Sequence, residues 1–207
     1  MTISVIINRK ELTNLTEEMR MITMEELKAN KKRAQQEALA KKYEFRYIRP
    51  EEADQTAVIE KICFPPNEAC SDQDMICRME AEPNMCLVAV DRETGKIAGF
   101  LSGLATNETE FRDEFFKNPK LHNPVGTTVM LLGLDVLPKH RGQGLARELM
   151  ERYIVSERER GRKRLVLTCL EGKIGMYERM GFAYCKISAS VLGNVTWHEM
   201  DYLIREE

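Results

Sequence analysis

Apolar residues recur along this chain first at helical spacing, then in alternation, then in unbroken runs. Leu12, Leu15, Met19 and Ile22 follow a 3-4-3 rhythm that predicts one helical face. The segment from 10 to about 42 is rich in Lys, Glu, Arg, Gln and Met and holds neither Gly nor Pro, so it reads as a helical extension. Thr23 followed by Glu26 has the form of a capping box and predicts a second helix starting there. Glu44 to Arg49 alternates as a strand, and Pro50-Glu51-Glu52 opens a helix running to about Cys63. Ser71 with Asp74 caps a further helix that must end before Pro83. Met85 to Val90 and Lys96 to Leu104 flank a Thr94-Gly95 connection and predict a hairpin.

A polar, partly helical excursion from Asn107 to Asn118 and a loop from Pro119 to Gly126 come next. Thr128 to Val136 is almost wholly apolar, as a strand covered on both faces would be, and Pro138 stops it. Leu145, Leu149 and Tyr153 mark a helix ending near Gly161; Leu165 to Leu170 is a second buried strand, followed by a short helix to Met180. Phe182 to Val191 and Val195 to Ile204 close the chain as strands around Gly193-Asn194. This order predicts an α/β fold with a mixed sheet, residues 43–207 forming the domain and residues 1–42 the extension, which either packs on the body or on a second subunit in a homodimer, or stands as a fully solvated charged helix.

Composition narrows the function. At 207 residues with a net charge of -2, the chain carries no basic excess suited to nucleic acid or an anionic membrane. The apolar stretch Ile3 to Ile7 is too short for a signal peptide, and no run approaches the roughly 20 apolar residues of a membrane helix. The expectation is a soluble cytoplasmic protein. Cys63, Cys70, Cys77, Cys86, Cys169 and Cys185 form no CxxC pair, and with only three histidines they predict buried reduced thiols and no metal.

Candidate chemistry collects where the apolar strand meets the helix after it. Arg141-Gly142-Gln143-Gly144-Leu145-Ala146 is a Gly-rich strand-to-helix turn. Glycines let backbone approach a ligand closely, and the first N–H groups of a helix favour a pyrophosphate. No Gly-Lys-Ser/Thr follows, so it is no Walker A loop, and it lacks the third glycine of a dinucleotide fingerprint.

Arg-x-x-Gly-x-Ala after a strand ending in Val136-Leu137-Pro138 resembles motif A of the GNAT acetyltransferases, and Met176-Tyr177-Glu178-Arg179-Met180-Gly181-Phe182 is similar to a second element of that family. The resemblance spans about residues 44 to 204 and implies the acyl-CoA N-acyltransferase fold, a mostly antiparallel sheet with splayed central strands. It implies acetyl-CoA as co-substrate between the strands ending near Val136 and Leu170, with backbone of Leu134, Asp135 and Val136 along the pantetheine arm and Arg141 to Ala146 at the pyrophosphate. Within the superfamily the chain is most similar to the arylalkylamine N-acetyltransferases, which implies a small-molecule amine as acceptor and Tyr177 as the acid that protonates the departing thiolate.

The chain departs from that group at Met130 and Leu132, where the serotonin enzymes carry histidines. Glu171 and His122 are the candidate bases instead, while His140 and His198 read as structural. Asp135 interrupts an apolar strand, where it either meets a cationic amine or bonds nearby backbone; alternation along the strand predicts that it faces away from Met130 and Leu132. A protein N-terminus, a lysine or a polyamine are alternative acceptors, and a non-catalytic acetyl-CoA-binding module is the alternative of another class.

Overall fold

The computed structural model describes residues 9–205, and side chains from Thr23 onward. Ile3 to Ile7, and the side chains of Leu12, Leu15, Met19 and Ile22, lie outside it. Two compact units divide between Lys41 and Lys42.

The first unit is one helix, α1, which runs Arg9–Lys42 into the second. The predicted break at Thr23 does not occur. Met, Glu, Leu, Lys and Ala on either side are strong helix formers, and a single Thr among them lacks the backbone preference needed to end the helix. Met24 and Leu27 are exposed, and Arg33 pairs with Glu37 one turn on, at 3.5 Å.

The second unit is a seven-stranded sheet in the order β1-β2-β3-β4-β5-β7-β6. Its strands are β1 (Tyr43–Tyr47), β2 (Cys86–Asp91), β3 (Ile97–Thr106), β4 (Thr128–Val136), β5 (Arg164–Cys169), β6 (Ala183–Ile187) and β7 (His198–Leu203). All neighbours are antiparallel except β4 and β5. The helices are α2 (Ala53–Cys63), α3 (Asp72–Ala81), α4 (Glu114–Lys117), α5 (Leu145–Glu159) and α6 (Ile174–Glu178). Ser71 accepts from the Asp74 N–H, as its spacing predicts.

Packing explains which residues fill these elements. Ala53, Ala57, Met75, Met79, Val88 and Phe100 form a buried cluster between α2, α3 and the sheet. A second cluster joins Leu104, Met130, Leu132 and Val166 of the sheet to Phe111 and Phe115. The excursion before β4 is therefore an apolar cover for the sheet, with only Glu114–Lys117 helical. On the other face, buried Tyr153 of α5 donates from its hydroxyl to the Met85 carbonyl at 3.2 Å. That hydroxyl lies 2.7 Å from where a Cβ of residue 103 would stand, so only glycine fits at Gly103.

All six cysteines are free, yet only Cys86 and Cys169 are buried; Cys77 and Cys185 are exposed, contrary to the expectation for the set. No helix of the described residues is long and apolar enough to cross a membrane.

The second unit holds its own clusters, so removal of residues 1–41 is expected to leave a cooperatively folded domain. Thermal melts of full-length and truncated chains check this; an insoluble or non-cooperative truncated chain would make the helix part of the core.

Candidate functional site

Strands β4 and β5 pair through only three residues, Thr128 with Arg164, Val129 with Leu165 and Met130 with Val166. Beyond them each strand stays bound on its outer side, β4 to β3 as far as Val136 and β5 to β7 as far as Cys169. The inner edges from Leu131 and Leu167 onward are therefore unpaired with each other, and a gap opens in the middle of the sheet. Unpaired backbone groups there are ready to bond a ligand.

A bulge accompanies the divergence. Ser102 pairs with Gly133 and Gly103 with Leu131, which leaves Leu132 as the extra residue in β4. The bulge reverses the alternation beyond it. Asp135 pairs with Phe100, and Met130 with Leu104, two residues of β3 that share a face by their even spacing. Asp135 thus stands on the same face as Met130 and Leu132, and the opposite placement expected from uninterrupted alternation is corrected.

The Leu137 N–H donates to Ala98 of β3 at 2.9 Å. By alternation, Leu134 and Val136 turn their backbone groups the other way, into the gap. Leu134 is half-buried, and the Val136 carbonyl is already taken by Arg141 Nε at 2.8 Å. This leaves the N–H groups of both residues and the Leu134 carbonyl for a ligand.

The turn after β4 is built for close approach. Gly142 and Gly144 hold φ of +74° and +89°, in the left-handed region open to glycine. Gly144 is the N-cap of α5 and offers no side-chain cap, so the helix begins with N–H groups that only a ligand or solvent can bond. Gln143 donates from its amide to the Lys139 carbonyl and accepts from Lys42 at 2.8 Å. His140 is structural, as expected: it is buried, with Nδ1 at 2.8 Å from the Tyr43 hydroxyl, and it fastens the turn to β1. Burial pushes its pKa down.

Tyr177 lies on α6, its ring edge-on to Phe182 at 5.8 Å, and is half-buried. Burial raises the pKa of its phenol, and Cys169 of β5 and Asp135 of β4 add to the effect. The phenol therefore keeps its proton at neutral pH.

The other candidates are placed differently. Glu171 is exposed on the turn after β5 and makes no capping bond. His122 lies apart from the gap: the Ala105 N–H donates to its Nδ1 at 3.3 Å, and Ala105 pairs with Val129, before the strands diverge. Its Nε2 is 3.6 Å from Glu82, and burial pushes its pKa down while Glu82 pulls it up. His198 begins β7, its ring tilted against that of Tyr184 at 5.8 Å. Among the described residues, no group of His, Cys, Asp or Glu could hold a metal ion.

The structure also brings forward Glu60, which the sequence reading passed over. It is buried and, through its side chain, interacts directly with Asp135. Its signal is position: with Ala53, Thr56 and Ala57 it completes the buried face of α2, where a carboxylate is out of place. Burial raises the pKa of Glu60, against the Cys70 N–H and Arg78. Burial and the Glu60 charge raise that of Asp135 well above the usual range.

Comparison with known proteins places this geometry. The acetyltransferase (GNAT) family model matches residues 51–182, well over half of the chain. Among solved structures, the chain is similar to the GNAT-like decarboxylase GphF in complex with isobutyryl-CoA, with 20% identity, a TM-score of 0.68, and 78% of this chain and 100% of that one covered. The loading GNATL domain of CurA from Lyngbya majuscula matches with 16% identity, a TM-score of 0.68 and coverage of 78% and 98%. The protein yncA from Salmonella typhimurium, crystallised with acetyl-CoA, matches with 19% identity, a TM-score of 0.56 and coverage of 80% and 95%. These likenesses concern the fold, an α/β mixed sheet flanked by helices, while the family follows from the model match: the chain belongs to the acetyltransferase (GNAT) family.

Proposed function

We propose that this protein transfers an acetyl group from acetyl-CoA to the primary amine of a small molecule, by direct attack in a ternary complex. The observation that carries the reading is the gap between β4 and β5, with free backbone groups of Leu134 and Val136 on one edge and the Gly142–Ala146 turn at its end. A pantetheine arm pairs with that edge as an additional strand would, and the turn's N–H groups with the α5 dipole hold the pyrophosphate. A Leu134 or Val136 N–H polarises the thioester carbonyl as its oxygen gains charge.

The chemistry needs two proton transfers. An alkylamine with a pKa of about 10.4 is protonated at neutral pH, and freeing its lone pair costs about 4–5 kcal/mol. The amine nitrogen then bonds to the carbonyl carbon, the C–S bond breaks, and its electron pair leaves on sulfur. Tyr177 protonates that sulfur, and the proton lost from nitrogen restores the phenol. The raised phenol pKa suits a group that must hold its proton until the thiolate forms. A small-molecule acceptor is supported by the resemblance to the arylalkylamine group, although Met130 and Leu132, both buried and apolar, take no part in proton transfer.

Thiol release from acetyl-CoA across a panel of arylalkylamines, polyamines, lysine and N-terminal peptides tests the reading. Release with a small amine supports it; release with peptides alone moves the acceptor to a protein, and binding without release makes the chain a non-catalytic module.

Two substitutions separate binding from chemistry. Gly144→Val strains a positive φ and blocks the turn, and is expected to weaken acetyl-CoA binding by at least about tenfold in calorimetry. Tyr177→Phe is expected to leave that affinity near wild type while lowering kcat by about 10²-fold, the size of a lost acid. A Tyr177→Phe enzyme within twofold of wild type, with chemistry rate-limiting, removes the phenol from the mechanism.

A further inference from the structure

Two loops start from opposite lips of the gap, at the end where it is widest. β4 and β5 run parallel, so their far ends, Val136 and Cys169, lie at that same end. α2 finishes over the first of them: the Cys63 thiol donates to the Val136 carbonyl at 3.5 Å, and the loop 64–71 leaves from there. The loop 188–197 is delivered beside the second. Cys169 pairs with His198, the first residue of β7, and the Ser188 N–H donates to the Trp197 carbonyl at 2.8 Å.

The loops are bonded to each other. The Asn67 amide donates to the Gly193 carbonyl at 3.0 Å. Contact there is also tight: a Cβ on residue 193 would stand 2.8 Å from the Asn67 carbonyl oxygen and 2.9 Å from Glu68 Cγ. With φ at +66°, residue 193 has to be glycine on both counts. The excursion before β4 holds the same loop from another direction. Asp113 accepts from the Ser190 hydroxyl at 2.5 Å and from the Val191 N–H at 3.1 Å. The Cys70 thiol, at the end of the first loop, donates to the Phe116 carbonyl of the excursion at 3.8 Å. Surface loops ordinarily keep their freedom. These are cross-tied, and Trp197 Nε1 braces the second from within by donating to the Leu192 carbonyl at 2.8 Å.

Apolar packing completes the ring. Phe111 and Phe115 cluster with Met130 and Val166, the last pair before the strands part. On this side the mouth of the gap is therefore framed by a loop from each lip and by the excursion at the point of divergence. The other side belongs to the Gly142–Ala146 turn and α5, whose Arg147 donates to the Arg179 carbonyl at the end of α6. A cofactor held by that turn leaves the framed mouth to the second substrate. In direct attack, the nitrogen has to reach the thioester carbonyl through it. Asp113 spends both oxygens inside the ring, so its part is to hold the perimeter and not to bind an ammonium.

We propose that the Asn67–Gly193 contact determines acceptor specificity: it holds the mouth to a passage that takes a primary amine end-on, on an unbranched stem, and rejects bulk beside the nitrogen. The inference rests on the acetyltransferase reading above and deepens its acceptor class. An amine on a CH₂ stem threads the ring with its nitrogen leading. A branch at the carbon that bears the nitrogen has to displace one of the two loops and break the bond that joins them. A polypeptide N-terminus other than glycine carries such a branch and is refused on the same ground.

The test compares an unbranched primary alkylamine with its isomer branched at the α-carbon. The two have nearly equal pKa, so the cost of deprotonation cancels. The quantity read is the ratio of their kcat/KM values, unbranched over branched, in wild type and in Asn67→Ala. Loss of the amide is expected to lower that ratio by about tenfold, the scale on which a pocket discriminates a single methylene. Acetyl-CoA affinity by calorimetry is expected to stay near wild type. A merely structural role would lower Tm and depress both amines alike, leaving the ratio where it was. Asp113→Ala, which releases the same loop from its other tie, stands in if Asn67→Ala fails to fold. A ratio within twofold of wild type, or one that rises, overturns the proposal alone. A wild type that releases thiol with no amine, or with N-terminal peptides alone, overturns the small-amine reading and the proposal together.

Discussion

Everything chemical in this domain depends on a hydrogen-bond ladder that stops. Parallel strands ordinarily continue to pair because each unpaired N–H and C=O inside a protein is costly. Here β4 and β5 part after three pairs, and the sheet tolerates the loss because each strand remains bonded on its outer side. The bulge at Leu132 lies just past the last pair and bends β4 away from β5. One extra residue thus opens the gap, turns Leu134 and Val136 toward it, and carries Asp135 onto the face where α2 brings Glu60.

The positive-φ turn completes the arrangement by geometry of its own. β4 delivers the chain to Pro138, which ends the strand, and α5 begins only at Leu145. Arg141 ties back to Val136, so the turn is fixed to the strand edge whose backbone it serves. His140 and Tyr43 fix its other side to β1. On the acetyl-CoA reading proposed above, a ligand along the edge would meet the turn in one register, with the helix dipole aligned on its negative end.

The elements of the second unit were readable because each obeys a local rule. Ser71 caps with Asp74, Pro50 opens a helix, and Thr128 to Val136 is apolar because both of its faces are covered. Local rules also explain the misreadings. Thr23-Glu26 has a capping pattern that the surrounding helix formers override, and a β-bulge leaves no mark in a run as uniform as Met130-Leu131-Leu132. Alternation counted through that run puts Asp135 on the wrong face. The turn could be inferred from Gly142, Gly144 and Pro138, and the open edge only through the family resemblance; the Glu60–Asp135 neighbourhood could not, since the two are 75 residues apart and only tertiary contact joins them.

The second apolar cluster has a role of its own. Phe111 and Phe115, from the excursion before β4, pack with Met130, Leu132 and Val166 and close the face of the sheet beside the gap. Such a lining excludes water, and electrostatic interactions strengthen as the local dielectric falls. A charged carboxylate in bulk water has too low a proton affinity to draw a proton from an ammonium, whose pKa lies about six units higher. Burial raises the proton affinity of Asp135 well above that of an ordinary carboxylate, and Glu60 beside it adds to the effect. Histidines on β4 would place a base directly on the strand. With Met130 and Leu132 there instead, that stretch of β4 is apolar and buried, and any base must come from another element.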